Sequence, residues 1–573
     1  MARQAKIGVY VCHCGINISN TVDVEDVRQF SEGLPGVAVA RDYTYMCSDP
    51  GQGLIIEDIK EFGLDKVVVS ACSPRMHEPT FRNAIEAAGL NPYCLEIANI
   101  REQCSWVHPD KESGTVKARS LVASAVAKAT LLEPLEEREV GVTKSALVVG
   151  GGVAGIQAAL DIADADFPVY LVEMDDHLGG RAMELSRTYP LMEYADELIG
   201  PGISAVLEHP RATVLLNSKL VDVKGYVGNF EATVETFADG TLGQRKIKVG
   251  GIVIATGFDP FDPRLKPEYG YGQYPQVITT LEFEAMASEH SPTGGKILID
   301  GREPRDIVFI KCVGSRDRTV GNPYCSRVCC MATAKQAHLV QQKLPGANVT
   351  VLYMDVRAHG KGFEEYYDLV RETGVNYRRG NPAETVQKGD RVVVRVEDTF
   401  LGEFVDLEAD LVVLATGMVP RPETGEVAQL LKLSNSADGF LLEAHPKLRP
   451  VDTASDGIYL AGCVQGPKDI TDTVAQAKAA AASVMIPFAR GVVTVESATC
   501  VVDEELCAGC GMCEDICPYG ALTLDLRRSV MAANVVLCKG CGACAATCPS
   551  NAITLMHFTP RQVMAQMDAL MMV

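Results

Sequence analysis

Apolar residues in this chain fall in short blocks whose spacing changes from stretch to stretch. The runs Ile7–Val11, Val37–Tyr45 and Lys66–Ser70 alternate with segments of helical apolar spacing around Val24–Ser31, Gly53–Phe62 and Pro79–Ala88. That alternation predicts a small α/β domain over residues 1–134. Glu133–Lys144 is charged, carries a proline and has no apolar period, and reads as a linker. Ala146–Val149 and Val169–Val172 are continuous apolar runs, the pattern of strands buried on both faces. Between them Ile156, Ala159, Leu160, Ile162 and Ala163 recur along one helix face. Thr213–Leu216 reads as a further strand, and Tyr226–Phe237 as part of a hairpin turned at Asp239-Gly240. Asp306–Lys311 opens a central lobe at about 290–405, and the composition changes again from about 495.

Gly150-x-Gly152-x-x-Gly155 joins the first buried strand of the second domain to its helix. The first two glycines permit a tight turn and close approach of a pyrophosphate, and the third lets helix and strand pack. The helix N-terminus favours the phosphate charge. Glu173 ends the next strand, where a carboxylate can hold ribose hydroxyls. Strand, glycines, helix, strand and acid in register make a specific dinucleotide signal.

Composition narrows the partners. With 53 basic and 74 acidic side chains the formal net charge is −21, which argues against nucleic acid or an anionic membrane surface as partner. No apolar run approaches the length of a spanning helix, so no transmembrane segment is expected. The N-terminus lacks the long apolar stretch of an export signal, so the expected location is cytoplasmic. The 20 cysteines then read as metal ligands or redox groups rather than disulfides.

Those cysteines form three groups. Cys507-x2-Cys510-x2-Cys513-x3-Cys517-Pro518 repeats 31 residues later as Cys538-x2-Cys541-x2-Cys544-x3-Cys548-Pro549, the spacing of a bacterial two-cluster ferredoxin. In that spacing the fourth cysteine crosses over, so one [4Fe–4S] cluster takes Cys507, Cys510, Cys513 and Cys548, and the other Cys538, Cys541, Cys544 and Cys517. This assigns 495–573 to a ferredoxin domain, a carrier that could swing about Arg490-Gly491. The central lobe holds Cys312, Cys325, Cys329 and Cys330, with the last two opening a helix and no second glycine fingerprint beside them. A helix N-terminus favours thiolates, and a [4Fe–4S] cluster is expected there, with structural zinc as the rival. Lys335 lies on the same helix; such lysines are ordinarily solvated, but one facing a flavin would stabilise negative charge on it. Near the N-terminus, Cys12, Cys47 and Cys72 each follow a strand and can converge on one sheet edge. Cys14 or Cys104 would complete a fourth cluster, and plain buried thiols are the alternative. Cys463 and Cys500 fall outside every set and are expected to be free.

Leu178-Gly179-Gly180-Arg181 resembles the second diphosphate contact of two-dinucleotide-fold flavoproteins. Asp456–Gly462 resembles their last flavin segment, and the Ala-Thr-Gly turns at Ala255–Gly257 and Ala415–Gly417 match their lobe crossings. This resemblance implies FAD and a thioredoxin-reductase-like fold over 145–490. The fold class is therefore α/β: a two-dinucleotide-fold FAD domain, an N-terminal α/β domain and a C-terminal α+β ferredoxin domain. Gly257, Gly417 and Gly462 join Gly150, Gly152, Gly155, Glu173, Gly179, Gly180 and Arg181 as expected FAD contacts.

Five further segments, CHCG at 12–15, ACSPRMHEPTF at 71–81, ANIREQCSWVH at 98–108, GNPYCSRVCCMATAKQAH at 321–338 and AGCVQGPKDI at 461–470, resemble the iron–sulfur flavoprotein component, HdrA-like, of heterodisulfide reductases. The resemblance spans nearly the whole chain. It implies an oxidoreductase component passing electrons between a donor module and a disulfide-reducing module, with flavin-based bifurcation in the best-understood members. Implied partners are B- and C-like components, a hydrogenase, formate dehydrogenase or NADH-oxidising module, and ferredoxin, around a homodimer within a hetero-oligomer. One departure stands out. Longer members insert a ferredoxin-like segment after a stretch like GYVGNFEATV, whereas here the chain runs directly on to GGIVIATG. The alternative function is thus a non-bifurcating electron relay, as in quinone-interacting relatives. An NADH- or NADPH-dependent reductase is disfavoured by the missing second fingerprint.

Overall fold

The computed structural model describes residues 5–238 and 241–572. It divides into two compact units, one of residues 1–139 with 494–573 and one of 140–493.

In the first unit, strands Ile7–Cys12, Val37–Tyr43, Lys66–Ala71 and Leu95–Asn99 form a parallel sheet in which the first strand lies between the second and third. The fourth strand was not predicted, because LEIAN is short and mixes polar with apolar residues. Every residue of Ile7–Cys12 and Lys66–Ala71 is buried, as continuous apolar strands should be. The helix Lys111–Ala129 covers one face, with Ala118, Val122, Ala125 and Val126 in the core. The ferredoxin-type segment does not stand apart from this domain. Its last helix, Pro560–Met571, packs on Lys111–Ala129, and Gln562 Nε2 donates to Leu131 O at 2.9 Å. His557 Nε2 meets Glu133 O at 2.9 Å, and Arg82 pairs with Glu496 at 3.3 Å. These contacts place it in one compact unit with the N-terminal domain.

The second unit contains the same arrangement twice. Strands Ala146–Val149, Val169–Val172, Ala212–Leu215, Gly251–Ile254 and Ile458–Leu460 form one parallel five-stranded sheet. Val277–Thr279, Asp306–Val313, Asn348–Tyr353, Asn376–Arg379 and Leu411–Thr416 form the other. Each is accompanied by a three-stranded antiparallel sheet, Ser218–Val249 and Pro382–Ala409. The hairpin partner of Asn229–Ala238 is Thr241–Val249; the expected turn residues Asp239 and Gly240 lie outside the described residues. The central lobe extends beyond 290–405, since its sheet needs Val277–Thr279 at one edge and Leu411–Thr416 beside Asp306–Val313. Among the described residues no helix is long and apolar enough to cross a membrane.

Candidate functional site

The glycine turn after Ala146–Val149 is dictated by contact distances. Gly150 has φ 108°, and a Cβ there would lie 2.3 Å from Ala255 O. A Cβ on Gly155 would lie 1.7 Å from Gly150 O, so only glycine lets the helix Val153–Asp164 sit against the turn. Gly152 differs: a Cβ there would meet no protein atom within 4 Å. Gly152 instead borders a cavity of about 630 Å³, and the open space over its Cα is what a close-lying diphosphate requires. Replacing Gly152 with alanine is accordingly expected to leave thermal stability of the flavin-stripped chain unchanged while releasing FAD on gel filtration. Full flavin retention would contradict this assignment.

Gly179 N–H donates to Gly151 O at 2.8 Å, and Gly180 lies against Gly152, so the second glycine pair closes over the first turn. Glu173 borders the cavity, accepting from Gly151 N–H at 2.5 Å and Asp175 N–H at 2.9 Å, which holds its carboxylate in place. Arg181 is also on the wall, held by Asp259 and Glu184 at 2.9 Å each. Gly257 and Gly417 border the same cavity. Gly462 does not. Its N–H goes to Gln476 Oε1 at 2.8 Å and its Cα packs on Ala154, so its neighbours Cys463 and Lys468 face the cavity in its place. Burial pushes the Lys468 ammonium down to about 8, and its Nζ donates to Gln465 Oε1 and Gly466 O. The GPKDI segment held this residue in view, but nothing in its spacing marked the lysine.

Lys335 reaches the cavity wall, but it is not a solvated lysine. It is 2% exposed and ion-paired with Glu284, itself 1% exposed. Glu284 also accepts from Ser186 N–H at 3.1 Å, Ser186 Oγ at 2.6 Å and Gln336 Nε2 at 2.5 Å. Burial raises the Glu284 pKa, but the Lys335 ammonium and these donors outweigh it and hold the carboxyl below its usual range. A pair, not a lone cation, borders the cavity.

The helix Cys329–Lys343 carries Cys329 and Cys330 at its N-terminus. Cys312 is the penultimate residue of the strand Asp306–Val313, where its pairing with Leu411–Thr416 slips register. The loop back to the helix is constrained: Cys312, Arg316 and Arg327 hold φ of 61°, 57° and 62°, values rare for residues with a Cβ. Ser326, fully buried, anchors it through Ser315 Oγ and Met418 N–H. This brings Cys312 and Cys329 within electrostatic reach of each other and of Cys325 and Cys330. Arg327 N–H and Arg357 N–H each donate to a sulfur at 3.3 Å, of Cys325 and Cys330 respectively. Lys311 Nζ, 3.2 Å from Cys330 Sγ, is a buried cation the sequence did not single out. Burial pushes the Cys312 thiol up to about 11 and Cys329 well above its ordinary value, so bound iron would have to supply the compensating positive charge. Donors aimed at sulfur and a net positive neighbour suit a thiolate-ligated cluster. Cys329 alone of the four also borders the large cavity, 3.8 Å from the carbonyl of Thr416 in the Ala415–Gly417 turn.

In the other unit Cys12, Cys14, Cys47 and Cys72 lie at the C-terminal edge of the parallel sheet. Cys12 Sγ accepts from Cys14 N–H at 3.3 Å and Met46 N–H at 3.4 Å, and Arg101 donates to Cys14 Sγ at 3.3 Å. Burial pushes the Cys72 thiol up to about 11. Cys104 points elsewhere, donating to Gly114 O at 3.1 Å inside the helix-covered core, so it is Cys14 that joins the other three. In the ferredoxin-type segment one small pocket is lined by Cys517, Cys538, Cys541 and Cys544, the crossed-over set. Cys500, a free thiol outside the set as expected, lines it too. Among the described residues no three His, Cys, Asp or Glu groups are disposed to hold a single metal ion.

The family model for pyridine nucleotide-disulphide oxidoreductases matches residues 144–483, and that for the 4Fe-4S dicluster domain matches 506–553. The chain is 46% identical over 643 residues to the HdrA-type component of the H(2):CoB-CoM heterodisulfide,ferredoxin reductase of Methanothermobacter marburgensis, covering 99% of this chain and 97% of that one. It is 46% identical over 600 residues to an iron–sulfur component of the same type from the CoB--CoM heterodisulfide reductase of Methanopyrus kandleri, covering 91% of each. The first alignment runs over 643 positions against 573 residues here, so at least 70 positions of that relative have no counterpart in this chain.

Proposed function

Since the chain belongs to the HdrA family of heterodisulfide reductase components, we propose that it passes electrons between a donor module and a disulfide-reducing module through one FAD and four [4Fe–4S] clusters. The observation that carries this is Cys329, which borders both the dinucleotide cavity and the central thiol group. When bound, FAD supplies the exchange between paired and single electrons, and the clusters carry single ones. The chain's own residues do the rest. Gly150, Gly152, Gly155, Gly179 and Gly180 admit the diphosphate, Glu173 meets the ribose, and Gly257 and Gly417 line the cleft. Cys312, Cys325, Cys329 and Cys330 hold one cluster, and Cys12, Cys14, Cys47 and Cys72 another. The eight ferredoxin-type cysteines hold two more in the crossed-over pattern.

A relay role without bifurcation is the second reading, favoured by the 70 or more positions missing relative to the Methanothermobacter protein. Both readings take B- and C-like components and a hydrogenase, formate dehydrogenase or NADH-oxidising module as partners, around a homodimer. They part in one assay of the native complex. Bifurcation makes ferredoxin reduction depend strictly on the presence of a disulfide acceptor; a relay shows no such dependence.

Anaerobically purified chain is expected to contain one FAD and about sixteen irons. The Cys14→Ser variant should lose about four of those irons, and Cys104→Ser none. A wild-type content near eight irons would remove the two clusters outside the ferredoxin-type segment.

A further inference from the structure

The ferredoxin-type segment is a duplication, and its two halves can be compared atom by atom. Residues 31 apart play the same parts. The strand Cys500–Val502 pairs with Ile553–Leu555, and 31 residues on Val530–Ala533 pairs with Leu522–Asp525. A Cβ on Gly540 would meet Ala498 O at 2.4 Å, and one on Gly509 would meet Ser529 O at 2.4 Å. Ala521 N–H donates to Cys517 Sγ at 3.3 Å, and Ala552 N–H to Cys548 Sγ at 3.3 Å. Met531 N–H donates to Cys507 Sγ at 3.4 Å, and its counterpart Cys500 N–H donates to Cys538 Sγ at 3.4 Å.

At that last pair the backbone matches and the side chains differ. Met531 and Cys500 are 3% and 2% exposed, so both pack against their cluster-facing cysteine. Methionine offers a thioether, which has no hydrogen to donate. Cys500 offers a thiol, and its sulfur is 3.7 Å from Cys538 Sγ. A cluster ligand is a thiolate, so within this contact only Cys500 can carry the proton. Cys500 is not itself a ligand: it lies on a strand outside the cysteine-rich loop, and the equivalent position in the other half is a methionine. The loop supplies Cys538, Cys541 and Cys544, and Cys517 completes the four.

We propose that Cys500 donates an S–H···S hydrogen bond to the Cys538 sulfur of the second ferredoxin-type cluster, and thereby raises that cluster's reduction potential. Hydrogen bonds to cluster sulfurs stabilise the more negative, reduced form. The first cluster has the matching backbone donor but a methionine in place of Cys500; its side-chain contact lies elsewhere, with Ser550 Oγ 3.5 Å from Cys548 Sγ. The strand carrying Cys500 leads back through Ser497, whose N–H donates to Tyr93 Oη at 3.2 Å, to the N-terminal domain.

The inference rests on both cysteine sets holding clusters, and the test separates the two. Full-length Cys500→Ala, Cys500→Ser and Met531→Cys variants are titrated potentiometrically with paramagnetic resonance detection, alongside iron analysis. Cys500→Ala should keep its iron and lower the second cluster's reduced-to-oxidised ratio at fixed potential by about fivefold, the effect of one ordinary hydrogen bond. Cys500→Ser, which keeps a donor, should restore much of that ratio. Met531→Cys should raise the first cluster's ratio. Unchanged ratios with full iron would overturn the inference and leave the cluster assignment standing. Loss of about four irons in Cys500→Ala would also overturn it, by making Cys500 a ligand. Wild-type protein without the two ferredoxin-type signals would instead overturn the cluster assignment itself.

Discussion

Replacing Glu284 with alanine is expected to destabilise the unit of residues 140–493 by about 3–5 kcal/mol, the cost of stranding a buried charge. Lys335 would be left 2% exposed without its counter-ion, and Ser186 and Gln336 would lose their shared acceptor. Most of that loss comes from the orphaned cation rather than from the net worth of the pair. The double variant Glu284→Ala with Lys335→Met should therefore be less destabilised than Glu284→Ala alone. Denaturant melts of the four proteins in that cycle check it. Equal destabilisation of the single and double variants would show that the pair does not act as a unit. The cycle also bears on the flavin, because Lys335 can polarise the cavity only to the extent that Glu284 leaves its charge uncompensated.

This pair illustrates what the sequence could and could not convey. Lys335 stood out because it follows Cys330 on one helix, a local relation. Its partner is 51 residues earlier, on another element, and no local period marks it. The same reasoning covers Cys14 and Cys104: spacing left both open, and only the packing of Lys111–Ala129 shows Cys104 turned into the core. What was legible had a local physical cause. Ala146–Val149 and Asp306–Lys311 read as strands because a strand buried on both faces must be apolar throughout. Gly150 and Gly155 read as a turn because backbone stands where a side chain would go. Leu95–Asn99 was missed because it is short and mixes polar with apolar residues. Cys500 was legible in principle. The 31-residue repeat sets it opposite Met531, but a ligand count attends to the cysteines that match and passes over the one that does not.

The second large effect concerns the wiring between the central thiols and the dinucleotide cavity. Cys329 is buried at the start of its helix, beside Thr416 on one side and Cys312, Cys325 and Cys330 on the other. No other member of the group also borders the cavity. Cys329→Ala is expected to lose about four irons while keeping FAD, whose glycine cradle around Gly152 is formed by other elements. The ferredoxin-type signals should persist, because those cysteines belong to the other unit. A structural zinc at this site predicts something different: one zinc lost, no iron lost, and flavin chemistry untouched.

The most direct measurement is anaerobic stopped-flow reduction of the flavin in the assembled complex by its native electron donor, comparing wild type with Cys329→Ala. The account predicts that flavin bleaching in the variant collapses while flavin content and the ferredoxin-type resonances are unchanged. Bleaching at the wild-type rate, in a variant shown to lack the central cluster, would contradict it.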